Sequence, residues 1–153
     1  MITSTVRTMK LSADLKLFLI ALLLAAGLLG AHVSAADSLY QDLGERANIV
    51  KFVDTATDEW LADDRIKDTF DNLNIERFKG RLVDQICEIT GGPCKYKGRN
   101  MYLSHKGLHL DTAQFNALVE GLQDGMDRAG VPFRTQNRLL VLLAPMKRDI
   151  VTR

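Results

Sequence analysis

The chain has 153 residues, enough for one domain with a real core and too few for two comfortable ones. Lys and Arg total 20 against 19 Asp and Glu, a formal charge of +1, with no block of like charge and no basic stripe interleaved with aromatics. Nothing in that balance suggests a nucleic-acid partner.

The first segment has the layout of a secretory signal peptide. Arg7, Lys10 and Lys16 precede the apolar run "LFLIALLLAAGLLGA", Leu17 to Ala31, and the small residues of "HVSAAD" follow. Val33 and Ala35 suit a cleavage after Ala35, and Ser34 with Ala36 suit one a residue later. The run is shorter than the roughly 20 apolar residues of a spanning helix, the alternative in which this segment would stay as a membrane anchor. No cysteine stands at the exit, which argues against a lipoprotein. The expected division is therefore residues 1–36 as signal peptide and 37–153 as the domain, exported and periplasmic. Losing Arg7, Lys10, Lys16 and Asp14 leaves 17 basic and 18 acidic residues, a charge of −1, and the only histidines left are His105 and His109.

The rest reads as helix broken by short loops. Ile49, Val50, Phe52, Val53, Ala56, Trp60 and Leu61 recur at helical spacing and predict a helix from Arg46 to Ala62. "DDRIKDTFDNLN" is a polar interruption, a tight turn or short 3₁₀ piece. Phe78, Leu82 and Ile86 form an i, i+4, i+8 row on a helix from Ile75 to Thr90. The breaker-rich "GGPCKYKGRN" then predicts a long loop. Cys87 and Cys94 flank "EITGGP". An exported chain permits a disulfide there if the α-carbons come within about 4.4 to 6.8 Å, and two free thiols are the alternative. Zinc is disfavoured, because the spacing is not C-x-x-C and companion ligands are few.

A short helix around Tyr102 to Lys106 is expected to stop at Gly107. Asp111 is an N-cap with Gln114 in the capping-box position, opening a helix with Phe115, Leu118, Val119, Leu122 and Met126 on one face and Gly130 at its end. The last helix spans Arg134 to Val151, and Pro145 inside it predicts a kink. No strand pattern occurs, so the domain is all-α. Short helices and a ten-residue loop are poor construction unless a large apolar cofactor fills the middle; an irregular four-helix bundle is the alternative.

Several segments together resemble one family, the group I truncated haemoglobins. They are "SLYQDLG", "WLADDRIKDTF", "GGPCKYKGR", "MYLSHKGL", Phe115, "AGVPF" and "LLAPMKRDIV", in the family's order and covering Ser38 to Val151. The resemblance implies a two-over-two helical sandwich around haem b, with its iron, and reversible binding of a diatomic gas: oxygen, nitric oxide or carbon monoxide. It makes His105 the proximal iron ligand, and neutral imidazole is a standard axial donor in such proteins. His109, where the family usually has glycine, is expected at the surface or the haem edge.

The pocket follows residue by residue. Phe70 takes the position of the phenylalanine that stacks on haem, and Met101 falls on the proximal side, with Tyr96, Phe115 and Leu118 as walls. Arg77, Lys79 and Arg81 cluster at the haem edge in this register, and Arg77 or Arg81 suits a propionate, since guanidinium matches carboxylate geometry. The distal side departs from the pattern. The family's tyrosine position is Thr57 and its glutamine position is Leu82, so Thr57, Phe78, Leu82 and Ile86 form a wall without strong donors. Thr57 keeps a hydroxyl, which can instead bond its own helix. Oxygen held at the cofactor takes on negative charge, and a hydrogen bond to a charged group is worth roughly 1.5 to 3 kcal/mol. Its loss is expected to weaken oxygen binding by roughly ten- to a hundredfold, with less effect on carbon monoxide or nitric oxide. A register slip of one residue would instead bring in Asp58 or Gln85. Haem-based peroxidase or nitrite chemistry is the enzymatic alternative, disfavoured because peroxide cleavage wants a distal acid–base group.

Overall fold

The computed structural model describes residues 38–153, and the expected signal segment lies outside them. Seven α-helices occur among the described residues: α1 (Leu39–Asp42), α2 (Glu45–Ala62), α3 (Ile75–Ile89), α4 (Met101–His105), α5 (Thr112–Arg128), α6 (Phe133–Leu143) and α7 (Lys147–Ile150). The polar interruption after α2 contains a 3₁₀ turn, Lys67–Phe70. No strand forms among the described residues beyond one parallel bridge between Leu110 and Val151.

Local chemistry sets the helix boundaries. Ser38 and Asp111 each accept the backbone N–H of the glutamine three residues on, and Gln41 and Gln114 reach back to the cap backbone, so α1 and α5 both open with a capping box. Asn74 and Asn100 cap α3 and α4 through their side chains. The proline has the effect its missing N–H requires. The expected single last helix is divided into α6, a 3₁₀ turn at Ala144–Met146 that contains Pro145, and α7.

Helix α2 is the centre of the packing, lying most extensively on α5 and next on α3. Ile49, Phe52, Val53, Ala56 and Trp60 of α2 are buried with Val83 and Ile86 of α3 and Ala117, Leu122 and Met126 of α5. The α2–α5 approach is close because glycine permits it. A Cβ on Gly125 would stand 2.5 Å from the carbonyl oxygen of Phe52 and 3.0 Å from the Ala56 Cβ. Backbone cannot step aside as a flexible side chain does, so Gly125→Val is expected to cost about 2 kcal/mol or more. On α3, Gly80 has open space where a Cβ would go, and Gly80→Ala is expected to gain about 0.5 to 1 kcal/mol. Urea midpoints moving in opposite directions for the two variants would check both statements.

Cys87, at the end of α3, is bonded to Cys94, with α-carbons 5.7 Å apart. The sequence left this pairing open; the chain turns back through Gly91, at φ +90°, and brings the sulfurs together.

Candidate functional site

A cavity of about 810 Å³ lies between α3, the loop after it, α4, α5 and the C-terminal turns. That is within the size range of small-molecule and cofactor pockets. Its deep wall is aromatic: Trp60 and Phe70 stack with centroids 6.2 Å apart, and Phe78 meets Phe70 edge-on at 5.5 Å. The Trp60 Nε1–H is satisfied by the Leu118 carbonyl at 2.9 Å, so the indole adds apolar surface and no free donor.

His105 lines this cavity from the last turn of α4. Its Nδ1 lies 2.8 Å from the Met101 carbonyl oxygen, one turn earlier. A protonated Nδ1 makes that bond, and in the neutral imidazole this tautomer leaves the Nε2 lone pair free to act as a ligand. Gly107, at φ +87°, ends the helical run directly after this turn. His109 is exposed, off the cavity, and has φ 53°, a left-handed conformation that glycine takes without cost and histidine more readily than most residues. Its carbonyl accepts from Arg153 Nε at 2.6 Å.

The cavity also brings together Phe70, Phe78 and Leu82 with Tyr96, Met101, Phe115 and Leu118, as the sequence register anticipates. Two expected wall residues are not on it. Thr57 is only 1% exposed, and its hydroxyl donates to the Val53 carbonyl at 2.7 Å, within its own helix. Ile86 is fully buried in the helix-packing core. Gln85, which the sequence register introduced only through a slip, lines the cavity instead. Helical angle explains the exchange. At about 100° per residue, position i+7 falls about 20° from Phe78, whereas i+8 falls about 80° away and turns toward the core.

The mouth is basic. Arg77, Arg81, Lys97 and Arg99 line it, no Asp or Glu does, and none of the four makes an ion pair among the described residues. Lys79, expected beside Arg77 and Arg81, instead pairs with Glu76 at 2.7 Å and Asp54 at 3.2 Å. Those two carboxylates, Glu76 foremost, raise its pKa. Loop residues 94–99 are tied to α3 by the disulfide and by Glu88, which accepts the Tyr96 backbone N–H at 3.0 Å and pairs with Lys95. These contacts, the Tyr96 N–H first, hold the Glu88 carboxyl below its usual range.

The bacterial-like globin family matches residues 38–152 of this chain. The chain is a bacterial-like globin. Within that family it is similar to the group 1 truncated hemoglobin of Tetrahymena thermophila, 35% identical over 94 residues that cover 61% of this chain and 78% of that protein. It is 30% identical over 115 residues to the group 1 truncated hemoglobin GlbN of Mycolicibacterium paratuberculosis, covering 75% and 85% of the two chains. The crystal structure of truncated hemoglobin from Tetrahymena pyriformis in its Fe(III) form superposes with a TM-score of 0.72 at 28% identity, covering 75% of this chain and 98% of that one. The all-helical fold is thus the two-over-two globin sandwich, and haem is the cofactor of such globins. The residues of this globin suit haem on structural grounds. An apolar slot with one imidazole on its wall and cations at its mouth accommodates a flat apolar macrocycle that carries iron and two carboxylates.

Proposed function

We propose that this globin is exported and binds a diatomic gas reversibly at haem, with His105 as the iron's protein ligand and the opposite coordination position open. The observation that carries the reading is the 2.8 Å contact between His105 Nδ1 and the Met101 carbonyl, which presets the imidazole for coordination through Nε2. When bound, haem iron supplies the coordination site for the gas. The protein's part is to hold and orient the cofactor. Phe70 and Phe78 supply aromatic contact, Phe115 and Leu118 close the apolar walls, and Arg77 and Arg81 offer guanidinium forks to propionates at the mouth.

On the wall facing α4, Phe78 and Leu82 have no lone pair with which to occupy the iron. The ferrous, ligand-free protein is therefore expected to give a five-coordinate spectrum that carbon monoxide converts to a six-coordinate one. A six-coordinate ferrous spectrum before any gas is added would contradict the open position. Thr57→Val is expected to leave oxygen dissociation within about twofold of the unsubstituted protein, a difference of roughly 0.4 kcal/mol, because the Thr57 hydroxyl is committed to the Val53 carbonyl. Export is supported by the N-terminal sequence pattern and by the Cys87–Cys94 bond, since such bonds persist in oxidising compartments and are rare in reducing ones.

A further inference from the structure

Two methionines distant in sequence converge on one amide. The Gln85 amide nitrogen lies 3.5 Å from the sulfur of Met146 and 3.7 Å from that of Met101. Met101 is the first residue of α4, and Met146 ends the 3₁₀ turn before α7. Both methionines are partly exposed and line the cavity, whereas Met126 is fully buried in the core. A thioether accepts an N–H only weakly. Its sulfoxide carries a polar oxygen and accepts well. The spacing suits that oxygen. With a sulfur–oxygen bond of about 1.5 Å and roughly 110° at the oxygen, these sulfurs would place it about 2.7 to 2.9 Å from the amide nitrogen, an ordinary hydrogen-bond length.

We infer that Met101 and Met146 form a peroxide-responsive modification site, with Gln85 donating to the oxygen that is added. The reagent is a small hydroperoxide, of which hydrogen peroxide is the simplest. A sulfur lone pair attacks one peroxide oxygen, forming the sulfur–oxygen bond as the oxygen–oxygen bond breaks. The departing oxygen takes the proton of the transferred one and leaves as water, so sulfur loses the two electrons that peroxide gains. Methionine sulfoxide reductases return the thioether. Met101 connects this chemistry to the cofactor, because its carbonyl accepts from His105 Nδ1. A sulfoxide makes an apolar part of the wall polar and ties Met101, on the five-residue helix that carries His105, to α3. Oxidation therefore weakens haem retention. That consequence rests on the haem reading above; the modification itself does not.

The test treats the haem-free full chain with hydrogen peroxide and locates added oxygen by peptide mass spectrometry. Met101 or Met146 is expected to gain one oxygen while Met126 gains none. Gln85→Leu is expected to slow that gain at least about threefold, because no donor then stabilises the oxygen being transferred. Titration of the oxidised protein with haem is expected to show at least about tenfold weaker binding, restored by methionine sulfoxide reductases. The double variant Met101→Leu, Met146→Leu conserves volume, so it is expected to bind haem within about twofold of the unsubstituted protein and to ignore peroxide. No oxygen on either methionine, or an unchanged rate in Gln85→Leu, would overturn the site. Equal peroxide sensitivity of haem binding in the double variant would overturn its link to the cofactor. Absence of a Soret band in the untreated protein would overturn the haem reading and that link, while the mass result decides the modification.

Discussion

His105→Ala is expected to abolish stable haem binding. The Nδ1 bond to Met101 positions the imidazole, and losing only such an outer partner costs a metal site roughly 10- to 100-fold in affinity. Losing the ligand itself is expected to cost more. No substitute is at hand: His109 lies off the cavity with its backbone held by Arg153, and no group of three or more His, Cys, Asp or Glu that could hold a metal occurs among the described residues. His109→Ala is expected to leave haem retention unchanged. Apoprotein of both variants, titrated with haem and followed at the Soret band, distinguishes the two histidines. Retention in His105→Ala with loss in His109→Ala would move the ligand by one helical turn and the pocket with it.

The second large effect concerns the bond between Cys87 and Cys94. Residues 96–99, which wall the cavity, and Asn100, which caps α4, lie directly beyond it. The bond spans a sequence separation of seven, and a loop of that size contributes about 2 kcal/mol by restricting the unfolded chain. Reduction leaves residues 94–99 attached to α3 chiefly through Glu88. If about 1.4 kcal/mol of the stabilisation acts on the closed cavity, haem loss accelerates about tenfold. Transfer of haem to an excess of an apoglobin acceptor, with and without a thiol reductant, measures this. Cys94→Ser is expected to match the reduced protein and to ignore the reductant. Equal transfer rates for the oxidised and reduced protein would show that the bond does not support the site.

What was legible in the sequence was what local chemistry decides. Asp111 with Gln114, Pro145 and Gly107 act over three or four residues, and each marks a boundary close to where the structure has one. The cofactor-sized cavity was foreshadowed by a helix pattern too broken to fill its own centre. Placing His105 in that pattern needed the family's ordered motifs, because two histidines four apart read alike on sequence alone. The distal wall was harder to read. Phe78, Leu82 and Ile86 make a clean apolar row, but Ile86 turns to the core and the polar Gln85 takes the wall. Hydrophobicity marks what is buried without saying against what. Thr57 shows the same limit: its position follows from the register, while the direction of its hydroxyl is set by the carbonyl of its own helix. The left-handed backbone at His109 carries no sequence signal beyond glycine's usual place there.

The central claim, a haem globin ligated through His105, is tested most directly by optical titration of the oxidised apoprotein with haem. The expected result is a Soret band that grows linearly and stops at one equivalent, and a ferrous spectrum that carbon monoxide shifts reversibly. A titration with no break at one equivalent, or a band equally strong and stable in His105→Ala, would contradict it.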